Sequence, residues 1–155
     1  MSGFGSASAL FKELARQTQK LSWTGDTSEK VLLTVDVPPM GENSYLELSS
    51  LWSVTNNANN KIVRVRLGGI GGSVLMQWTA TTIATVIDIN RKTLNRGATN
   101  SQISSNALSF VGTSTGNPLT TSIETNAGTT LVFTVQLANA ADTASLEYAV
   151  VNLVL

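Results

Sequence analysis

A period-two alternation of apolar and polar side chains between residues 44 and 67 constrains the fold most strongly. Before the loop at residues 55–60, four apolar side chains fall on even positions: Leu46, Leu48, Trp52 and Val54. After it, Val63, Val65 and Leu67 fall on odd positions. Because successive side chains of a β-strand point to opposite faces, each run has one buried and one exposed face. The pattern predicts two antiparallel strands joined by a tight Asn-rich loop, with Trp52 as the largest inward side chain.

Similar alternation recurs along the rest of the chain, clearly at residues 31–37, 83–89, 131–137 and 146–154. It predicts about eight or nine short strands separated by turns, which is the pattern of an all-β protein. We expect an antiparallel β-sandwich, with a jelly roll as the first choice and an immunoglobulin-like sandwich as the second. A chain of 155 residues is long enough to bury the core of one such domain.

The N-terminal residues follow a different pattern. Residues 1–8 are small and rich in Gly and Ser, and from residue 7 to residue 21 apolar side chains recur at spacings of three and four. These spacings predict a short amphipathic helix, which either caps the sandwich or docks on another subunit. The chain then divides into an arm and helix at 1–24 and a sandwich at 25–155. The candidate docking residues are Phe4, Leu10, Phe11 and Leu14.

The composition argues against most kinds of catalysis. The chain contains no His and no Cys, so it lacks a Ser-His triad, a thiolate nucleophile and the usual zinc ligands. Its acids are scattered, and nothing selects Asp88, Glu124 and Glu147 as a paired carboxylate site. We therefore expect no enzymatic activity, no cofactor and no metal site.

Charge and hydropathy also bear on the partners. Ten basic and ten acidic residues balance, which argues against bulk binding of nucleic acid, and no apolar run approaches the roughly 18 residues of a membrane span. The one basic cluster, Arg91, Lys92 and Arg96, has no interleaved aromatic side chains. We expect these residues to be solvated or to pair with acids across a subunit contact. The glycines at 68–72 lack the Lys-Ser/Thr ending of a phosphate-binding loop, and they predict a hairpin turn.

Two segments carry a resemblance to a known group of proteins. One is Ser-Val-Thr-Asn-Asn-Ala-Asn-Asn-Lys at 53–61, followed by Val-Arg-Val-Arg-Leu-Gly-Gly at 63–69. The other is Asn-Arg-Gly-Ala-Thr-Asn-Ser-Gln at 95–102, with the downstream segment 136–147. Together they resemble small β-sandwich proteins of tailed-bacteriophage virions, which include head-decoration (cement) proteins and jelly-roll modules of tails and fibres. The resemblance covers about residues 30–155.

The resemblance implies a virion component without catalytic residues, usually trimeric, that binds other virion proteins. As a decoration protein the chain would bind the major capsid protein at junctions between capsid subunits. The alternative is a tail or head-fibre knob that binds a host receptor or glycan. In a homotrimer, the apolar odd face of the last strand, Val151, Leu153 and Leu155, is the candidate subunit contact, together with the basic cluster.

Overall fold

The computed structural model describes residues 10–82, 84–105 and 116–155, and these residues form an antiparallel β-sandwich of two sheets. The all-β prediction is confirmed, and the described residues contain no helix. The strands are β1 (Phe11–Gln17), β2 (Leu21–Trp23), β3 (Lys30–Val37), β4 (Tyr45–Val54), β5 (Lys61–Leu67), β6 (Ser73–Ala80), β7 (Val86–Asn95), β8 (Gln102–Ser104), β9 (Leu119–Thr121), β10 (Thr129–Leu137) and β11 (Ala144–Val154).

The larger sheet, sheet A, has the strand order β1-β11-β4-β7-β8-β9, and β2 pairs with β11 beyond the end of β1. The smaller sheet, sheet B, has the order β3-β10-β5-β6. The chain changes sheet repeatedly, for example between β3 and β4, β4 and β5, and β10 and β11. Each sheet therefore interleaves strands that are distant in sequence, and the two inner faces enclose one core.

The core is apolar and centred on Trp52. This side chain is fully buried, its ring centroid lies 6.2 Å from that of Phe133 in the opposite sheet, and its Nε1 donates a hydrogen bond of 2.9 Å to the Ser50 hydroxyl. The prediction that Trp52 is the main inward side chain is confirmed. Trp78 on β6 is 38% exposed, so it is not fully buried in the core as Trp52 is.

One expectation about the segment at residues 44–67 is wrong. Its two runs are strands β4 and β5 with the predicted buried faces, but β4 belongs to sheet A and β5 to sheet B, so they do not pair. Period two specifies which face of each strand is buried, and two strands that face each other across a core satisfy it as well as a hairpin does.

The predicted N-terminal helix is also wrong wherever the structure describes the chain. Residues 11–17 form β1, which pairs with β11, and residues 21–23 form β2. The register shifts between Glu13 and Ala15, so Leu14 is an extra residue in a β-bulge and the alternation is broken. That break imitates helical spacing, and pairing with β11 outweighs local helix propensity. Residues 7–9 of the predicted helix lie outside the described residues.

The glycines at 68–72 form the predicted hairpin between β5 and β6. Gly68 and Gly69 have φ angles of +93° and +80°, which favour glycine over residues that carry a Cβ. Gly72 is required for a different reason, since a Cβ there would lie 2.0 Å from the carbonyl oxygen of Leu67. The hairpin interpretation is confirmed.

A buried polar network centred on Gln102 ties loops together at one end of the sandwich. Its amide nitrogen lies 2.9 Å from the Asn95 Oδ1 and 2.9 Å from the carbonyl oxygen of Ile123. Its amide oxygen accepts hydrogen bonds from the Thr121 hydroxyl and from the Ile123 main-chain N–H. The segment at 95–102, which carries part of the resemblance, is thus held in place by the hydrogen bonds of a buried amide.

A second polar cluster joins the loop between β4 and β5 to the turn between β10 and β11. Asp142 is buried and accepts hydrogen bonds from the side-chain amides of Asn57 and Asn59. The fully buried Lys61 donates to the carbonyl oxygen and to Oδ1 of Asn57, both at 2.9 Å. The Asn-rich loop at 55–60 is therefore fixed to the β10–β11 turn, rather than closing a hairpin.

Candidate assembly surface

Five outward-facing side chains, one from each of five neighbouring strands, form an apolar row across one end of sheet A. In order across β1, β11, β4, β7 and β8, they are Phe11, Val154, Tyr45, Leu94 and Ile103. We call these five residues the outer apolar row. Since paired strands lie about 4.8 Å apart, the row is about 19 Å long. Phe11 is 60% exposed and Leu94 is 38% exposed, Tyr45 and Ile103 are partly exposed, and Val154 is buried at 8%, so the row is open to solvent mainly at Phe11 and Leu94 in the single chain.

The outer apolar row continues past its β1 end. The main-chain N–H of Leu155 donates a hydrogen bond of 3.1 Å to the carbonyl oxygen of Leu10, which holds the two residues side by side. Both side chains are exposed, Leu10 at 68% and Leu155 at 53%. Four exposed large apolar side chains therefore share this end of sheet A.

Polar side chains border the row on the same face. The next cross-strand set toward the other end of the sheet consists of Glu13, Asn152, Glu47 and Lys92. The Lys92 ammonium lies 3.5 Å from a carboxylate oxygen of Glu47 and 5.6 Å from the centroid of the Tyr45 ring. An exposed apolar patch with a polar rim is typical of a protein–protein contact.

The predicted docking residues are placed differently from one another. Leu10 and Phe11 belong to the exposed patch, whereas Leu14 is partly buried and packs against the core. Phe4 lies outside the described residues. The sequence patterns did not select Tyr45, Leu94 and Ile103, which lie on the outward faces of their strands.

The predicted subunit contact on the last strand requires a correction. Val151 and Leu153 have at most 1% of their surface exposed, because they face the core between the sheets, so their side chains are not available to another subunit. Leu155 is exposed, as a contact residue must be. The last strand is apolar on both faces because sheet B covers one face and part of the outer apolar row occupies the other.

The basic cluster is not a cluster in space. Arg91 points into the sandwich and hydrogen-bonds the Ser105 hydroxyl, and its burial lowers the pKa of the guanidinium. Lys92 points outward to Glu47. Arg96 is exposed in the loop after β7. Alternation along β7 separates Arg91 from Lys92, so the structure does not bring the three basic residues together.

The outer face of sheet B carries a charged network around Glu29. The Glu29 carboxylate receives two hydrogen bonds of 2.9 Å from Arg66 and one of 2.5 Å from the Thr134 hydroxyl, and it lies 3.3 Å from Arg64. Burial alone would raise the pKa of Glu29. The hydrogen bonds from Arg66 and Thr134 and the two positive charges outweigh burial and hold that pKa below its ordinary value.

The network predicts a pH-dependent contribution to stability. Because the folded-state pKa of Glu29 is lowered, its contribution is complete above the ordinary value of 4.5 and is lost as the pH falls through the folded-state pKa. We expect Glu29→Gln to lower the free energy of unfolding by about 1–2 kcal/mol at pH 7. The difference from wild type should shrink below pH 4.5, as measured by urea denaturation across pH. The exposed Glu42→Gln is the control, and an equal loss in both variants would contradict the role of Glu29.

The concave features offer no obvious catalytic chemistry. A cleft of about 540 Å³ lies between β1 and the adjoining ends of β3 and β10, and no aromatic side chain lines it. Within the described residues no three acids approach closely enough to hold a metal ion. Glu124 and Glu147 have separate partners: Glu124 accepts hydrogen bonds from main-chain N–H groups, and Glu147 pairs with Lys20 at 3.0 Å.

Over the described ranges, no helix has the length and apolar character needed to cross a membrane. No protein-family model matches the chain, and no curated protein matches it.

Several solved structures show a likeness to this chain, each with a TM-score below 0.5. A protein from Bacillus endospore appendages, described as a novel family of disulfide-linked pili, has a TM-score of 0.46 at 10% identity, covering 99% of this chain and 96% of that chain. A chain of infectious bursal disease virus, Gt strain, has a TM-score of 0.42 at 8% identity, covering 95% of this chain. This chain spans 33% of that viral chain. A CBM4 structure has a TM-score of 0.34 at 10% identity, covering 83% of this chain and 89% of that chain. Likenesses at this level assign no function.

Proposed function

We propose that this chain is a non-enzymatic structural protein of a virion, and that it decorates the capsid of a tailed bacteriophage. The observation that carries the proposal is the outer apolar row, with Leu10 and Leu155 beside it. In the single chain this surface exposes large apolar side chains that are stabilised when another protein covers them. Binding to a neighbouring virion protein, for which the major capsid protein is the candidate, supplies that cover.

The strand topology supports a jelly-roll architecture. Four neighbouring strands of sheet A, β1-β11-β4-β7, face the four strands of sheet B, β3-β10-β5-β6, and the chain passes between the two layers as two nested Greek keys require. Strands β8 and β9 extend the first set. On the basis of the sequence resemblance, we also propose that the protein is a homotrimer located in the virion.

The rival function, a receptor- or glycan-binding knob, needs exposed aromatic side chains in a groove. Phe11 and Tyr148 lie at opposite ends of the outer face of sheet A, and Trp78 lies on sheet B. None of them lines the cleft beside β1, nor a smaller cleft on the outer face of sheet A or a smaller one on sheet B. This separation favours attachment to protein over binding of a glycan.

The first test is localisation. Antibody labelling of purified virions of the virus that encodes the chain should place the protein on the capsid surface in electron micrographs. Absence of the protein from purified particles would overturn a virion role, and labelling confined to the tail or fibres would overturn decoration.

The second test disrupts the outer apolar row by substitution. Purified full-length chain is added to particles that lack it, and the bound copies are measured after sedimentation. We expect the double variant Phe11→Asp/Leu94→Asp to bind at least about a hundredfold more weakly. Each lost anchor costs about 2 kcal/mol, and each 1.4 kcal/mol lowers the affinity tenfold. The control is Val31→Asp, which introduces the same charge at an exposed apolar position on β3. Equal binding by the double variant and wild type would exclude the outer apolar row.

A further inference from the structure

Lys61, the first residue of β5, is completely buried and binds the side chain of a nearby asparagine. Its Nζ donates hydrogen bonds of 2.9 Å to the main-chain carbonyl oxygen and to Oδ1 of Asn57. The Nδ2 of the same Asn57 amide donates a hydrogen bond of 2.5 Å to the Asp142 carboxylate, which is also buried. The Asn57 amide therefore lies between a buried amine and a buried carboxylate and is hydrogen-bonded to both.

This arrangement is costly while both groups are charged. An ammonium and a carboxylate lose their hydration in a protein interior, and each is hydrogen-bonded here to Asn57, a neutral group. Converting the Lys61 amine into an amide and protonating Asp142 would remove both buried charges. Burial thus supplies a driving force for a covalent reaction between Lys61 and Asn57.

The nucleophile is already close to the atom that it would attack. Because a C=O bond is about 1.2 Å long and the Lys61 Nζ lies 2.9 Å from Oδ1 of Asn57, Nζ is within about 4.1 Å of Cγ. Reacting atoms in a productive conformer are about 3–3.5 Å apart. An approach of about 1 Å, with a tilt of the amide plane, brings Nζ onto the carbonyl carbon.

Two further contacts fit the chemistry of amide exchange. The Asn59 main-chain N–H donates a hydrogen bond of 3.0 Å to Oδ1 of Asn57, the oxygen on which negative charge develops during attack. The Asp142 carboxylate lies at Nδ2, the nitrogen that must leave, and its other oxygen accepts a hydrogen bond of 3.0 Å from Asn59 Nδ2. The site therefore holds a nucleophile, a polarised carbonyl and a proton carrier.

We propose that Lys61 and Asn57 form an intramolecular isopeptide bond after the chain folds, with loss of ammonia. The Lys61 ammonium gives one proton to the Asp142 carboxylate, and the free amine attacks Cγ of Asn57. Asp142 then protonates Nδ2 and takes a proton from the attacking nitrogen. The carbonyl re-forms as the Cγ–Nδ2 bond breaks. The products are a secondary amide, ammonia and a neutral Asp142.

The bond closes the loop between β4 and β5 covalently. It lies at the end of β4 opposite Tyr45, and so opposite the end that contributes to the outer apolar row. It is therefore independent of the proposed function.

Tryptic mapping of the denatured full-length protein tests the proposal. Trypsin does not cleave after a lysine whose amine is acylated, so it should release the peptide 31–64 instead of 31–61. The mass of that peptide should be about 17 Da below its sequence mass, the loss of one ammonia. A cyclic imide at Asn57 also loses one ammonia, but it leaves Lys61 open to trypsin and hydrolyses in mild base. A folded wild-type chain that is cleaved after Lys61 and keeps its full mass after a week's incubation would overturn the proposal.

Three variants assign the roles of the residues. Lys61→Met lacks the nucleophile, so its peptide 31–64 should have the full sequence mass. Asp142→Asn lacks the proton carrier, and we expect its linked fraction to be at least about tenfold lower than that of wild type at equal age. The matched control is Asn59→Ala, which loses a side-chain hydrogen bond to the same Asp142 but keeps its main-chain N–H, and it should remain linked. An ammonia loss that persists in Lys61→Met, or equal linkage in Asp142→Asn and wild type, would contradict the mechanism.

Discussion

Replacing Trp52 with Ala should lower the free energy of unfolding by about 3–5 kcal/mol, the cost of removing a large aromatic side chain from a packed core. Trp52 has no exposed surface and contacts Phe133 across the sandwich, so the cavity would open between the two sheets. Domains of this size are stable by about 5–15 kcal/mol, so the variant should be close to unfolded at 37 °C. Urea denaturation followed by circular dichroism at 218 nm, a typical β-sheet wavelength, measures the loss.

Trp52→Phe separates the packing from the hydrogen bond. It keeps an aromatic ring but removes the Nε1 donor to the fully buried Ser50 hydroxyl. We expect a smaller loss, about 1–2 kcal/mol, from one unsatisfied buried group and the reduced ring volume. If Trp52→Ala cost no more than Trp52→Phe, the claim that this side chain fills the centre of the core would be wrong.

The second large effect is expected at Gln102. Gln102 is 2% exposed, and its side-chain amide hydrogen-bonds Asn95, Thr121 and both main-chain polar groups of Ile123. Gln102→Leu keeps a similar volume but leaves those partners buried without hydrogen bonds. We expect a loss of about 2–4 kcal/mol, because each orphaned buried group costs about 1–3 kcal/mol and some partners relax toward water.

Hydrogen exchange localises this effect. The Ile123 main-chain N–H, which donates to the Gln102 side chain at 3.0 Å, should lose its protection in Gln102→Leu before the core strands do. Gln19→Leu, at an exposed position, is the matched control and should leave both stability and exchange unchanged. Protection of Ile123 equal to wild type would show that the network does not hold this loop.

The sequence patterns predict which face of a strand is buried better than they predict which strands pair. Alternation identifies β4, β5, β10 and most of β11 because burial on one side of a sheet selects every second residue. It contains no information about which strand edges meet, so β4 and β5 were wrongly paired. The β-bulge at Leu14 shows a second limit, since one extra residue converts a period of two into spacings that resemble a helix.

The candidate surface was predictable only in part. Leu10 and Phe11 stand out because they are adjacent bulky residues near a small, polar N-terminus. Tyr45, Leu94 and Ile103 come from three strands, and only the register of sheet A aligns them with Phe11. The basic cluster failed for a related reason. Residues that are adjacent in sequence on a strand point to opposite faces, so Arg91 and Lys92 could not share one site.

The position of β11 has a consequence for synthesis of the protein. This strand lies between β1 and β4 in sheet A, yet it is synthesised after all the other strands that the structure describes. Until β11 is synthesised, β1 and β4 have no common neighbour, so sheet A is divided and the core-facing side chains of sheet B lack part of their cover. Such long-range closure is slow compared with local pairing, and a chain truncated before β11 should aggregate rather than fold.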